Sequence, residues 1–413
     1  MQQILVLGGG FAGLWSAVGA ARLLDQRGIA PDKVRVTLVN RDDWHSIRVR
    51  NYESALADVR VPLADVLEPI GVDRIIGDIG GIDVAARQVA CDVGGVSRTL
   101  QYDRLVLAIG STLLRPPIPG LAEHGFDIDT YAAAERLQAH IAGLAMRPPV
   151  PGRYTAIVVG GGLTGIECAT EIITALRAAS AGAGGEAARA ILVDHSGRVG
   201  AGMGDGACTV VETALAALGV EARGGVTVAG VTPQGLVLAD GEVIPAATVV
   251  WCAGMRANAL TETLPFKRDR LGRITVDEFL QVEGHAGVFA TGDCADAAVD
   301  ASHRSVMSCQ HARPMGRLAG HNVVADLLGE PMLPLSIGWY TTILDLGAWG
   351  AVYTEGWDRR VVATAEQAKR TKMLINRERI YPPRSRNRAE ILAAAAPTIQ
   401  APPPTFAADE RRR

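Results

Sequence analysis

One pattern, written twice, constrains this chain more than any other feature. Gln3–Leu7 is a short apolar run that breaks into Gly8-Gly-Gly10-Phe11-Ala12-Gly13, and Leu14–Leu24 then favours helix. Thr155–Val159 runs the same way into Gly160-Gly-Gly162-Leu163-Thr164-Gly165, and helix formers continue to about Ala178. Each copy returns to a second apolar run, Val34–Val39 ending at Asn40 and Ile191–Val193 ending at Asp194. The order is strand, turn, helix, strand, with G-x-G-x-x-G at the turn. The first glycine makes the tight turn, the second lets backbone approach a pyrophosphate, and the third lets helix pack on strand. The pyrophosphate then meets free N–H groups at a helix N-terminus. A single such turn is weak evidence. Two of them about 150 residues apart, in the same local grammar, imply two dinucleotide sites.

The chain of 413 residues is long enough for two or three domains. Its 47 glycines with only 5% aromatics suit the tight strand-to-helix turns of an α/β protein. The predicted fold is α/β, with two Rossmann-like domains and a C-terminal region. With 48% apolar residues, 21% charged residues and a net charge of −3, the composition excludes a disordered chain and gives no reason to expect nucleic acid. The six cysteines form no C-x-x-C, so no local zinc site or dithiol is expected, and a reducing cytoplasm fits best. No uncharged apolar run reaches the roughly 18 residues of a spanning helix.

Further landmarks recur in order. Tyr102-Asp-Arg-Leu-Val-Leu-Ala108-Ile-Gly110-Ser, Ala247-Thr-Val-Val-Trp-Cys-Ala-Gly254 and Gly287-Val-Phe-Ala-Thr-Gly292-Asp293 join the two glycine motifs. Together they resemble the flavoproteins with two dinucleotide-binding domains, the pyridine nucleotide–disulfide oxidoreductase superfamily. The Arg41-x-x-x-His45 spacing and "GGGLTGIE" at 160–167 look like the type II NADH:quinone oxidoreductase branch. The resemblance implies an FAD domain split between 1–118 and 254–330, an NAD(P)H domain at 119–253, and a C-terminal interface or cap at 331–413. It also implies that reducing equivalents pass from NADH to FAD and on to an acceptor.

Carried onto this sequence, Gly8, Gly10, Phe11, Ala12, Gly13, Asn40, Arg41, Ala108, Gly110, Gly254, Gly292 and Asp293 would hold FAD. Asn40 stands where an acid usually accepts from the ribose, and it could instead be a turn residue. Gly160, Gly162, Leu163, Thr164, Gly165 and Asp194 would hold the nicotinamide dinucleotide. Asp194 would repel a 2′-phosphate and favour NADH, although His195 and Arg198 could admit NADPH. Glu167 would face the nicotinamide, or would merely favour its helix N-terminus. The segments that carry redox cysteines in disulfide reductases have none here, and Cys168, Cys294 and Cys309 are expected to be small buried thiols. Thiol chemistry is therefore not expected, and no metal is implied.

The acceptor is less legible. The branch's A-Q-x-A-x-Q-Q-G segment matches Cys309-Gln310-His-Ala312-Arg-Pro314-Met315-Gly316, where the glutamine pair has become Pro-Met. Its apolar segment becomes Arg48-Val-Arg50-Asn-Tyr-Glu53. His45, Arg48, Arg50, Glu167 and Gln310 are the catalytic candidates, and the arginines suit a polar or anionic acceptor better than a lipid ring. Alternatively they pair with Glu53 or Asp58, or hold FAD phosphates. Residues 359–388 carry ten Lys/Arg against two acids, a charge of +8 that could be solvated, face a second subunit in a homodimer, or touch an anionic leaflet from the cytoplasmic side. The tail from Ala395 reads as flexible. Three functions follow: an NADH:quinone-type oxidoreductase, an NADH-dependent reductase or oxidase of a soluble acceptor, oxygen or a carrier protein, and a nucleotide-sensing flavoprotein without turnover.

Overall fold

The computed structural model describes residues 1–181 and 187–406. The chain opens with strand β1 (Gln2–Leu7), helix α1 (Phe11–Gln26) and β2 (Val34–Asn40), followed by β3 (Asp73–Ile76) and β4 (Arg104–Leu107). The second unit repeats the form with β5 (Thr155–Val159), α2 (Leu163–Ala181), β6 (Arg189–Val193), β7 (Val220–Arg223) and β8 (Thr248–Trp251). The chain then returns to the first sheet as β9 (Val288–Ala290) and leaves it as α3 (Cys309–Leu328). The first sheet is parallel with order β9-β4-β1-β2-β3, and the second is parallel with order β7-β6-β5-β8. In both, the glycine-loop strand sits inside the sheet and is covered on both faces, hence the unbroken apolar runs. Ile4, Leu5, Val6 and Leu7 are all buried, and truncating one to alanine would cost about 2–5 kcal/mol.

Helices α1 and α3 cross closely, and small residues allow it. A Cβ on Gly316 would stand 2.4 Å from Ala12 O, and one on Gly320 would stand 2.2 Å from Ser16 O. This crossing brings the start of α3 alongside the first glycine loop.

The C-terminal region adds the antiparallel strands β10 (Thr341–Asp345), β11 (Ala351–Glu355) and β12 (Arg360–Thr364), then α4 (Ala365–Leu374). Leu344 and Val352 join the core of the second unit, while Ile380 and Ile391 join that of the first. Two expectations change here. Much of the basic charge of 359–388 is met within the chain: Lys369 pairs with Asp345, Lys372 with Glu167, Arg386 with Asp65 and Glu68, and Arg388 with Asp25. The tail is also tied down as far as it is described. Trp339 donates to Gln400 O at 2.9 Å, Tyr353 to Pro403 O at 2.8 Å and Thr371 to Pro404 O at 2.9 Å, while Arg379 donates to Ala401 O at 2.6 Å. Proline-rich chain lacks N–H donors, so its carbonyls are held by side chains; residues 407–413 lie outside the described residues. Among the described residues no helix is long and apolar enough to cross a membrane.

Candidate active site

The first glycine loop is closed on one side and open on the other. Gly8 has φ +107°, and a Cβ there would meet Ala108 O at 2.4 Å. A Cβ on Gly13 would fall 1.7 Å from Gly8 O, whereas one on Gly10 would meet nothing within 4 Å. Helix α1 has no side-chain cap and no acid in its first turn, so its leading N–H groups are left for an anion. Asn40 steadies the loop, its Oδ1 accepting from Gly9 N at 2.8 Å and its Nδ2 donating to Asp42 O at 2.9 Å. Across the cleft, Ser111 Oγ donates to Asp293 at 2.6 Å, and Arg48 donates to Ser111 Oγ at 2.9 Å while pairing with Asp129. Burial pushes the Asp293 carboxyl up, although Ser111 and Arg48 oppose it. Arg41, Ala108 and Gly110 share this wall, while Gly292 packs against Ala12 and Gly254 against Leu114. An open glycine cradle, an uncapped helix and a half-buried acid fit FAD.

The second loop has the same construction. Gly160 has φ +115°, a Cβ on Gly165 would lie 1.8 Å from Gly160 O, and one on Gly162 would meet nothing within 4 Å. Asp194 accepts from the N–H groups of Gly161 and Ser196. Burial pushes its carboxyl up, but these bonds outweigh burial and hold it below the usual range. Arg198 is taken by Glu212 at 2.6 and 2.8 Å, which leaves it less available to a 2′-phosphate than the sequence suggests.

A cleft of about 1000 Å³ joins the two units, the upper end of what ligand sites occupy. Gly8–Ala12 form one wall, Leu163, Thr164 and Glu167 another, and Trp339–Ile343 with Lys372 and Ile375 a third. Gly160, Gly162 and Asp194 stand outside this lining. Glu167 is buried beside Lys372 Nζ at 2.7 Å and accepts from Asp345 N at 3.0 Å. Burial pushes the Glu167 carboxyl up against the pull of Lys372, while Glu167 and Asp345 keep the buried Lys372 charged. Gln310 accepts weakly from Thr341 Oγ1 at 3.2 Å, and its buried Nε2 has no partner.

Two catalytic candidates are not on the cleft. His45 is fully buried, its Nδ1 lies 2.9 Å from Gly9 O, and desolvation lowers its pKa to about 4. It is a neutral prop behind the glycine loop. Arg50 turns away to Glu53 at 2.5 Å and to Tyr381, in keeping with the alternative in which the arginines pair locally.

Sequence reasoning missed Lys372, which is hidden among ten basic residues and meets Glu167 only through the fold. It also missed that Cys252, on the cleft wall, neighbours the buried Cys168. The Cys168 thiol and burial push the Cys252 thiol well up, which leaves it protonated and a poor nucleophile. The three tryptophans of the C-terminal region stand apart from one another. Trp357 stacks between His303 and Tyr340 at 4.3 and 4.2 Å, Trp339 lines the cleft, and Trp349 packs on the second core.

Comparison with known proteins agrees with this geometry. The family model described as pyridine nucleotide-disulphide oxidoreductase matches residues 2–316. An NADH dehydrogenase-like protein of Mycobacterium tuberculosis is 53% identical over 403 residues, covering 98% of this chain and 100% of the relative. The demethylphylloquinone reductase of Synechocystis is 27% identical over 360 residues, covering 85% of this chain and 86% of the relative. The structure of NDH2 from Plasmodium falciparum in complex with NADH superposes with a TM-score of 0.77 at 12% identity, over 95% of this chain and 97% of that one. The chain therefore belongs to the pyridine nucleotide-disulphide oxidoreductase family and is an oxidoreductase that uses FAD and a nicotinamide dinucleotide.

Proposed function

We propose that this enzyme oxidises NADH and reduces a quinone-type acceptor without a redox disulfide. The observation that carries this reading is a single cleft bounded by the first glycine loop, by Leu163, Thr164 and Glu167 beyond the second, and by the C-terminal region. Donor and acceptor could thus reach one centre from different sides. Bound FAD would accept hydride from NADH and return two electrons to the acceptor. On this reading residues 1–118 and 254–330 hold the flavin, 119–253 hold NADH, and 331–413 wall the acceptor side. Gly162 gives the NADH diphosphate access to the α2 N–H groups, and Asp194 accepts from the adenosine ribose. The Lys372–Glu167 pair ties the nicotinamide side to the C-terminal wall and excludes water there. Gln310 Nε2 is a free donor for an acceptor carbonyl. The quinone-reducing names of more distant relatives support the acceptor class.

The test is anaerobic stopped flow. The enzyme is reduced with one equivalent of NADH and mixed with a water-soluble quinone. Reoxidation within the range of ordinary turnover, about 1–1000 per second, supports the reading. Fast reduction followed by reoxidation far slower than turnover with NADH and oxygen would leave a soluble acceptor as the better account.

A further inference from the structure

Helix α3 starts under the Ser308 cap and presents Gln310, Arg313, Pro314 and Arg317 to the cleft. Arg313 and Arg317 stand one turn apart on the same helix face. Among the described residues neither makes an ion pair or a hydrogen bond, and the buried Nε of each is without a partner. Arg317 is only 3% exposed. Both guanidinium groups lie by the indole of Trp15, at 5.6 Å for Arg313 and 4.4 Å for Arg317. Burial lowers the Arg313 pKa to about 10, and burial with the neighbouring Arg313 charge lowers that of Arg317 to about 9. Both therefore stay cationic at neutral pH.

Three other cations nearby are met by acids, Arg48 by Asp129, Arg50 by Glu53 and Lys372 by Glu167, and Arg60 lies over the rings of Trp44 and Tyr131. Two desolvated, mutually repelling charges without a counterion are costly to keep. An aromatic face offsets only part of that cost. Arg379, whose guanidinium holds the carbonyls of Ala401 and Pro402, adds positive charge on the same side. The same cleft is also lined by the apolar Ile375, Ile380 and Ile399. The arrangement offers a flat apolar body a seat and a negative substituent two guanidinium forks.

We propose that Arg313 and Arg317 form an anion subsite in the acceptor part of the cleft, and that the natural acceptor is a ring compound carrying a carboxylate, sulfonate-like or phosphate-like group. This deepens the function proposed above and rests on it for the word acceptor. The subsite itself is a statement about binding, and it is tested separately from turnover.

The FAD-loaded enzyme would be titrated calorimetrically with naphthalene-2-sulfonate and with neutral 2-naphthol, in wild type and in Arg313→Met, Arg317→Met and the double variant. Loss of a charge-assisted contact predicts that the sulfonate Kd rises about 10-fold or more per arginine, while that of 2-naphthol moves less than about twofold. Arg317→Lys, which keeps the charge and loses the fork, should fall between. Removing an unpaired buried charge should not lower the melting temperature, so the Met variants should fold. Equal shifts for the two probes, or no wild-type preference for the sulfonate, would overturn the subsite. So would loss of FAD from the variants with the sulfonate preference intact in the remaining loaded enzyme, because the arginines would then serve the flavin diphosphate. Quinone reoxidation rates judge only the proposed function. Arginine-dependent sulfonate binding beside slow reoxidation of every quinone would uphold the subsite and sink the quinone reading.

Discussion

Replacing Gly162 with alanine should weaken NADH binding and leave the fold and the flavin in place, while the same change at Gly165 should damage the fold. The two positions are three residues apart, yet they face opposite surroundings. A Cβ at Gly162 meets nothing within 4 Å, whereas one at Gly165 would lie 1.8 Å from the carbonyl oxygen of Gly160. At Gly162 the methyl occupies space that a diphosphate needs to reach the helix N–H groups. Losing one charge-assisted hydrogen bond costs about 1.5–3 kcal/mol, which is about 10- to 100-fold in Kd. At Gly165 the obstacle is backbone inside a tight loop. Overpacking costs about 1–3 kcal/mol where neighbours can shift, and here the upper end is the floor. Anaerobic flavin reduction at varied NADH gives the Kd, with flavin content and thermal melting as controls. Wild-type NADH affinity in Gly162→Ala would refute the placement of the dinucleotide on this loop. A normally folded Gly165→Ala protein would refute the packing argument.

Lys372→Met strands the buried Glu167 charge and should cost about 3 kcal/mol, and adding Glu167→Gln should recover most of it. A thermal-melting cycle over the four proteins reads the coupling, and strict additivity would mean that the pair does not hold the C-terminal wall. Asp194→Ser should raise the NADPH:NADH ratio of kcat/KM, and adding Glu212→Gln, which removes the nearer of the two acids on Arg198 and leaves only Asp205 at 3.5 Å, should raise it further; an unchanged ratio in both places the ribose elsewhere. His45, His140 and His311 are buried, and desolvation holds each pKa at about 4, against about 6.5 for a free histidine. Below pH 6.5 the unfolded chain takes up protons that the folded one refuses. Stability complete above that pH should therefore fall towards pH 4, by about 1.4 kcal/mol per unit for each histidine. Melting scans between about pH 7.5 and 5 test this, and His45→Gln should flatten the slope by roughly a third.

What could be read from the sequence was local. The glycine loops, their strands and Asp293 lie within short windows, where residue type and spacing determine backbone geometry directly. Pairings across the chain were not legible. Nothing near Glu167 announces Lys372, and nothing near Arg50 announces Tyr381, because the fold alone decides which charges meet. Arg313 and Arg317 escaped notice for a related reason. Their distinction is the absence of a partner, and a sequence never displays an absence. His45 misled because a histidine beside a cofactor loop suits catalysis and support equally, and only burial separates the two.

The sheets also set an order of assembly. Strands β5 to β8 are contiguous, so the second unit can close while the ribosome is still at work. The first sheet cannot, because its edge strand, Val288–Ala290, is made only after that half is finished. The last wall of the cleft waits longer still, for Ile399 and Pro403. With the flavin in the cleft proposed above, its capture would belong to the end of synthesis, and a chain stalled or clipped near residue 395 would present finished sheets around an unfinished cleft.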